Sequence, residues 1–319
     1  MKIVFLDGYT LSPGDLDLSS LEALGEVVLY DRTTSSLVID RAKEAEILIT
    51  NKVKITEEHL AQLPQLQYIV VAATGYDVVD IQAAAKRQIP VSNVSGYSTT
   101  SVSQHVFAML LGYLNRTQDY YKESRSAIWS EKLDFSYWHQ PIEELTDLTF
   151  GVLGLGTIGK KVAAISSAFG MKTIAYSRQP ERDAMPNVTL VSMDELLAEV
   201  DVLSCHVPLN ASTQDIINKQ TLGMMKSSAI LINTARGGVI KEVELAEALK
   251  HNVIKAALLD VLSQEPPPAD HPLIGLDNCF ITPHQAWASR AARRRLLQGI
   301  VQNIKGFQTK QMQNVVNGL

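Results

Sequence analysis

A glycine-rich turn near the middle of the chain constrains the fold more than any other segment. Residues 149–153 are apolar and strand-like, and they run into the spacing Gly154-x-Gly156-x-x-Gly159, followed by an amphipathic helical pattern. This order predicts a Rossmann-type unit: Gly154 permits the tight turn, Gly156 lets the backbone approach a pyrophosphate, and Gly159 lets the helix pack on the strand. The alternative, a glycine turn without a ligand, is disfavoured by the flanking strand and helix. Because this unit starts so late, we expect another domain before it.

The end of the next strand decides which dinucleotide is expected. In NAD-binding units an Asp or Glu stands there, roughly 20 residues after the glycine turn, and holds the ribose 2′-hydroxyl. Here the strand 172–176 runs into Ser177 and Arg178, and residues 177–180 contain no carboxylate. A hydroxyl beside a guanidinium suits a 2′-phosphate, as a hydrogen-bond donor and a bidentate cation. The sequence therefore predicts NADP(H), with NAD as the alternative if Arg178 is only a solvated loop residue.

Length and composition favour a soluble protein of two domains, because 319 residues exceed the size at which a single core usually stops growing. The net charge of −5 and the pI of about 5.8 disfavour nucleic acid and anionic membranes as partners. Cys205 and Cys279 lie in apolar runs without C-x-x-C spacing, so we expect core thiols and no metal site. We expect no signal peptide and no membrane span, and hence a cytoplasmic protein.

Short apolar strands alternate with helical patterns along the chain, which is typical of parallel sheets covered on both faces. The predicted strands lie at 2–6, 26–30, 46–50, 68–72, 90–93, 149–153, 172–176, 201–205, 228–232, 255–259 and 278–281. A long helix from about 98 to 121 would connect the domains, and a last helix from about 289 to 307 would cross back to the first. The expected domains are residues 1–100 with 286–319, and residues 101–285.

Four residues whose side chains could take part in catalysis or binding follow strands of the second domain. Ligands bind at this edge in open α/β sheets. Arg236 lies on a glycine-flanked turn, Asp260 and Glu265 follow the next strand, and His284 follows the last one. Each has an ordinary alternative: a surface ion pair for Arg236, a loop-holding acid for Asp260, a solvated acid for Glu265, and a capping group for His284. Because three separate loops carry them, we expect Arg236, Glu265 and His284 to converge on one site.

These motifs together resemble the D-2-hydroxyacid dehydrogenase family over essentially the whole chain. The resemblance is carried by the glycine turn, residues 233–238, Asp260 with Glu265-Pro266, residues 282–284, and residues 73–80 and 93–102 of the first domain. Within the family the likeness is greatest to glycerate dehydrogenase/hydroxypyruvate reductase, from residues 51–53, 73–76 and 135–138. Two positions depart from the pattern: Ser95 replaces the usual proline, and Ser177 replaces the acid of NAD-dependent members, which puts NAD in doubt.

The resemblance implies reduction of a small 2-ketoacid, hydroxypyruvate or glyoxylate, to D-glycerate or glycolate by NAD(P)H. His284 would donate the proton, Glu265 would orient the imidazole, and Arg236 would bind the substrate carboxylate. Asp260 would hold the nicotinamide carboxamide. The implied substrate contacts are Ala73, Thr74, Gly75, Arg236 and His284. The implied cofactor contacts are Thr74, Gly154, Gly156, Thr157, Ile158, Gly159, Ser177, Arg178, Val207, Pro208, Thr234, Ala235, Asp260 and His284.

The resemblance also implies the architecture: two doubly wound parallel-sheet domains, a flavodoxin-like substrate domain and a Rossmann domain, with the active site in a cleft between them. A homodimer formed through the apolar run between Tyr113 and Trp138 is expected. Formate dehydrogenase is disfavoured, because that family places glutamine at the position of Glu265. Other 2-hydroxyacid or phosphoglycerate dehydrogenases, and a dinucleotide-sensing corepressor outside the enzymes, remain alternatives.

Overall fold

The computed structural model describes all 319 residues, which form two compact units. The first unit contains Met1–Ser98 and Ala288–Leu319, and the second contains Thr99–Trp287. Each unit is built on a parallel sheet whose connections are mostly helical. The predicted fold class of two doubly wound α/β domains is confirmed.

The first unit has a five-stranded parallel sheet in the order β2-β1-β3-β4-β5. Its strands are β1 (Lys2–Phe5), β2 (Glu26–Leu29), β3 (Ile47–Thr50), β4 (Tyr68–Val71) and β5 (Val91–Ser92). Its helices are α1 (Ser19–Glu22), α2 (Val38–Ala42), α3 (Glu57–Ala61), α4 (Ile81–Lys86) and the C-terminal helix Arg290–Gln308, with 3₁₀ turns at Gly8–Thr10 and Ser35–Leu37. Every residue of β3 and β4 is buried, as expected for central strands covered on both faces.

The C-terminal helix is joined to this sheet by a buried polar contact. The Asn303 side chain is fully buried; its Nδ2 donates to the Asn93 carbonyl at 2.8 Å, and its Oδ1 accepts from Asn314 Nδ2 at 2.8 Å. The Phe307 ring stacks on Tyr68 of β4 with centroids 4.6 Å apart. The last residues of the chain therefore complete the unit that the first residues begin.

The second unit has a seven-stranded parallel sheet in the order β12-β11-β10-β9-β6-β7-β8. Its strands are β6 (Thr149–Leu153), β7 (Lys172–Tyr176), β8 (Thr189–Leu190), β9 (Val202–Cys205), β10 (Ile230–Asn233), β11 (Ala256–Leu259) and β12 (Cys279–Ile281). Its helices are α5 (Thr99–Asn115), α6 (Thr117–Ser124), α7 (Thr157–Ala168), α8 (Pro180–Asp183), α9 (Met193–Glu199), α10 (Lys219–Met224) and α11 (Glu242–Lys250), with 3₁₀ turns at Ile128–Glu131, Leu145–Asp147 and Gly237–Val239. The chain reverses its direction across the sheet between β6 and β9, so a topological switch point lies at the carboxyl ends of these strands.

Two predicted features of the second unit differ from the structure. The single helix expected over residues 98–121 is two helices, α5 and α6, because Arg116 adopts a left-handed conformation with φ of 49°. Residues 115–119 contain neither glycine nor proline, so the sequence lacks the usual signs of a break. The two-residue edge strand β8, which pairs with β7, was not predicted because it is too short to show a pattern.

None of the helices combines the length and the apolar character that crossing a bilayer requires.

Replacing Asn303 by Ala should destabilise the protein by about 2–4 kcal/mol, because the Asn93 carbonyl loses its buried donor and a cavity forms. The neighbouring Gln302 is exposed on the same helix. Gln302→Ala is therefore the matched control and should change stability by no more than about 0.5 kcal/mol. Chemical denaturation followed by circular dichroism measures both. Equal effects of the two substitutions would contradict the structural role of the Asn303 amide.

Candidate active site

The glycine turn lies at the switch point, between β6 and α7. Gly154 has φ of +99°, and a Cβ on Gly159 would lie 2.0 Å from the Gly154 carbonyl oxygen, so the helix packs directly on the turn. A Cβ on Gly156, in contrast, would meet nothing within 4 Å. Gly156 caps α7 without any side-chain hydrogen bond, and both Gly156 and Thr157 are exposed. The turn therefore presents open space and the N–H groups of a helix N-terminus, which fits a pyrophosphate.

The neighbouring strand ends add further predicted cofactor residues to this edge of the sheet. Val207 and Pro208 follow β9, and Val207 lies against Gly154, where a Cβ on the glycine would be 2.8 Å from Val207 Cγ1. Thr234 and Ala235 follow β10, the next strand. The Thr234 hydroxyl is buried and has no hydrogen-bond partner in the chain. Because buried polar groups are nearly always paired, this hydroxyl fits a ligand that supplies the partner.

The tip of β7 contains a contact that the sequence did not reveal. Ser177 Oγ donates to Oδ2 of Asp183 at 2.6 Å and accepts from the Gln179 backbone N–H at 3.1 Å. Arg178 is exposed, and its Nη1 donates to Ser212 Oγ at 3.3 Å. The sequence shows no carboxylate at residues 177–180, yet the fold places one against Ser177.

Glu265 and His284 are brought together as predicted. His284 Nδ1 and Glu265 Oε2 are 2.6 Å apart, and Glu265 Oε1 accepts from the Leu262 N–H at 3.0 Å. His284 has φ of 50°, which directs its own N–H to the carbonyls of Asp260 and Thr282 at 2.8 and 2.9 Å. The carboxylate and the imidazole thus form a pair in which Nδ1 is engaged.

Arg236 follows β10 on a turn that the buried Asn233 shapes. Asn233 Nδ2 donates to the Arg236 carbonyl at 2.9 Å, and Asn233 Oδ1 accepts from the Ala235 N–H at 3.0 Å. The next residue must be glycine, since a Cβ on Gly237 would lie 1.9 Å from the Leu262 carbonyl carbon. The turn of Arg236 therefore abuts the loop that holds Glu265.

Asp260 is almost completely buried, and its carboxylate holds the loop of His284. Its Oδ1 accepts from Thr282 Oγ1 at 2.6 Å and from the Gln285 N–H at 2.9 Å, and its Oδ2 accepts from the Ala286 N–H at 2.9 Å. Burial favours the neutral acid, but these hydrogen bonds, with that from His105, outweigh it and lower the pKa of Asp260. The resemblance implies that Asp260 contacts the cofactor; in the structure its carboxylate accepts from protein donors, and the cofactor contact stays a prediction.

His105 is a member of this cluster that sequence reasoning missed. Its Nε2 lies 3.0 Å from Thr282 Oγ1 and 3.4 Å from Asp260 Oδ1. It comes from α5, far from Thr282 along the chain, and a lone histidine on a helix gives no signal of such a contact.

The predicted substrate residues of the first unit follow β4. Thr74 Oγ1 donates to the Val94 carbonyl at 3.2 Å, and Asn93 Nδ2 donates to the Thr74 carbonyl at 2.6 Å. These bonds shape the loop that contains Ala73, Thr74 and Gly75. Their contact with substrate stays a prediction.

Comparison with known proteins agrees with the motifs. Residues 107–286 match the family model described as D-isomer specific 2-hydroxyacid dehydrogenase, NAD binding domain. A hydroxypyruvate reductase of Blautia hydrogenotrophica is 40% identical, over 99% of this chain and 100% of the relative. An acyclic imino acid reductase solved with NADPH and D-arginine is 31% identical with a TM-score of 0.86, covering 99% of this chain and 100% of that one. D-lactate dehydrogenase of Aquifex aeolicus, solved with NAD and lactic acid, is 28% identical with a TM-score of 0.84 and full coverage of both chains.

The matched model covers more than half of the chain, and the reductase relative is aligned along its full length. The fold, the glycine turn and the paired Glu265 and His284 are in place at the expected strand ends. The chain belongs to the D-2-hydroxyacid dehydrogenase family of nicotinamide-dependent oxidoreductases.

Proposed function

We propose that the protein reduces a small 2-ketoacid, hydroxypyruvate or glyoxylate, to D-glycerate or glycolate with hydride from NAD(P)H. The observation that carries the proposal is the 2.6 Å contact between Glu265 Oε2 and His284 Nδ1, beside the turn of Arg236. An imidazole oriented by a carboxylate is a suitable proton donor to an alkoxide. The full-length similarity to a hydroxypyruvate reductase supports this substrate class.

His284 acts as the acid in this scheme. A nicotinamide, when bound, would supply the hydride for C2 of the ketoacid, so that the carbonyl oxygen would need a proton. Glu265 accepts the hydrogen bond of Nδ1–H, which leaves Nε2 as the nitrogen that transfers its proton to this oxygen. Glu265 stays ionised throughout and stabilises the imidazolium before the transfer.

Arg236 binds the substrate carboxylate, because a guanidinium matches its two oxygens in a bidentate geometry. It also polarises the C2 carbonyl. Asp260 acts mainly by holding residues 282–286, and with them His284, in place. A contact of Asp260 with the nicotinamide carboxamide is an additional part of the proposal.

The residues present fit a dinucleotide. The open N-terminus of α7 at Gly156, Thr157 and Ile158 would hold the pyrophosphate, and the orphaned Thr234 hydroxyl would lie at the nicotinamide half. We propose NADP(H) as the preferred cofactor, because Arg178 supplies an exposed cation for a 2′-phosphate. NAD(H) is the alternative.

An assay of the purified protein with hydroxypyruvate, glyoxylate and pyruvate, each with NADPH and with NADH, tests the proposal. We expect kcat/KM for hydroxypyruvate or glyoxylate to exceed that for pyruvate by at least about tenfold, a difference of about 1.4 kcal/mol in transition-state binding. NADPH should be the better reductant. Absence of turnover with every pair would refute the function, and a strong preference for NADH would refute the cofactor choice alone.

The role of His284 is tested by replacing it with Asn, which tolerates its positive φ better than Ala. We expect kcat to fall by about 10²–10⁴-fold, while the affinity for NADPH changes little. The exposed His251 offers the same substitution as a control, and His251→Asn should keep the original kcat. Retention of kcat in His284→Asn would exclude it as the proton donor.

We further propose a cytoplasmic homodimer that forms through the apolar run between Tyr113 and Trp138. Leu133 and Phe135 are exposed to 103% and 90%, and Trp138 to 64%, which is more apolar surface than a monomer usually leaves in one short segment. A second copy would cover this surface.

Light scattering after size exclusion tests this assembly. The unaltered protein should have twice the mass of one chain, and Phe135→Glu should shift it toward the monomer. Val243→Glu, at a similarly exposed apolar position on α11, should leave the mass unchanged. A monomeric unaltered protein would contradict the proposal.

A further inference from the structure

A buried carboxylate lies behind the tip of β7. Asp183 is the last residue of α8 and is only 3% exposed. It lies six residues beyond Ser177 in the sequence. Its Oδ2 accepts the Ser177 hydroxyl hydrogen bond at 2.6 Å. The contact lies at the strand end where a dinucleotide-binding unit meets the ribose 2′ position.

Two cations hold this carboxylate in its ionised form. Arg182 donates from Nε to Oδ1 at 2.9 Å and from Nη2 to Oδ2 at 3.0 Å, and Lys160 Nζ lies 3.3 Å from Oδ1. The hydrogen bonds from Arg182, then from Ser177, outweigh burial and hold the pKa of Asp183 well below its usual range. Asp183 is therefore an anion at neutral pH.

This arrangement decides what Ser177 can offer to a ligand. A hydroxyl has one proton and two acceptor lone pairs. The proton of Ser177 is directed to Asp183, and one lone pair accepts from the Gln179 N–H. The remaining capacity is an acceptor, which suits the donating 2′-hydroxyl of NADH and disfavours the oxygens of a 2′-phosphate.

Arg178 has the opposite preference. It is exposed and cationic, and a 2′-phosphate is an anion with acceptor oxygens only. The two neighbouring residues at the tip thus favour different cofactors.

We propose that Asp183, acting through Ser177, limits the preference for NADPH and lets the enzyme use NADH as well. Asp183 is a positioning residue, since it reaches the 2′ substituent only by fixing the Ser177 proton. The proposal rests on the proposed use of a nicotinamide cofactor and adds the residue that sets the balance between its two forms.

The substitution Asp183→Asn removes the charge, and the new amide can donate to Ser177 Oγ and free the hydroxyl proton. We expect the ratio of NADH to NADPH dissociation constants to rise by about tenfold, mainly through tighter binding of NADPH. Equilibrium titration of nucleotide fluorescence, without ketoacid, measures both constants. The ratio of kcat/KM values for NADPH and NADH should rise in parallel. A ratio that changes by less than about twofold overturns the proposal.

Glu181→Gln is the matched control, because Glu181 is an exposed acid of the same short helix and makes no hydrogen bond to Ser177. It removes the same charge two residues away and should leave the ratio within about twofold. An equal shift in both variants would mean a general charge effect and would overturn the role of Ser177.

Ser177→Ala tests whether Asp183 acts through the Ser177 hydroxyl. It also tests the proposal by itself if circular dichroism shows that Asp183→Asn does not fold. By itself it should weaken NADH binding and raise the ratio, since the acceptor is lost. In its background Asp183→Asn should add less than about twofold, because contacting residues are coupled. An undiminished effect in the double variant, or an unchanged ratio in Ser177→Ala, overturns the proposal.

These outcomes are separate from those of the proposed function. Normal nucleotide binding with no turnover of any ketoacid would refute the reductase activity and leave the binding ratios as the test of Asp183. Normal turnover with unchanged ratios would refute the role of Asp183 alone.

Discussion

The compensation of one buried charge shapes the edge of the sheet at which Glu265 and His284 lie. Asp260 is 1% exposed, and an isolated carboxylate in such surroundings would be strongly unfavourable. The Thr282 hydroxyl and the N–H groups of Gln285 and Ala286 compensate it, and a hydrogen bond to a charged group contributes about 1.5–3 kcal/mol. The loop cannot move without leaving the charge unpaired. Because His284 lies inside this loop, the buried charge maintains the backbone conformation that presents its imidazole to Glu265.

Asp183 is buried to a similar degree, but a different kind of partner compensates it. Its main partners are the side chains of Arg182 and Lys160, which are 67% and 38% exposed and can rearrange in solvent. Backbone donors fix a loop, whereas flexible cations fix only a charge. Asp260 therefore holds the loop of His284, and Asp183 remains an ionised acceptor for the Ser177 hydroxyl.

Much of the fold follows from local patterns. Parallel strands buried on both faces are near-continuous apolar runs, so β3, β4 and β9 are recognisable without any knowledge of their neighbours. The glycine spacing is equally informative, because the contact between Gly159 and the Gly154 carbonyl leaves no room for a side chain. The contact between Glu265 and His284 could be predicted because the strand ends of a parallel sheet meet at one edge. In each case the signal depends on the sequence near the residue itself.

The features that escaped prediction depend on contacts between distant or irregular segments. The left-handed Arg116 interrupts a helix without any glycine or proline beside it, and His105 reaches Asp260 from α5, far away along the chain. Asp183 shows the consequence for function. The sequence at the tip of β7 contains no acid. The fold nevertheless brings Asp183 to this tip, where it accepts a 2.6 Å hydrogen bond from Ser177. We propose that a 2′ substituent responds to the direction of the Ser177 proton, which the fold determines and the residues at the strand tip alone do not reveal.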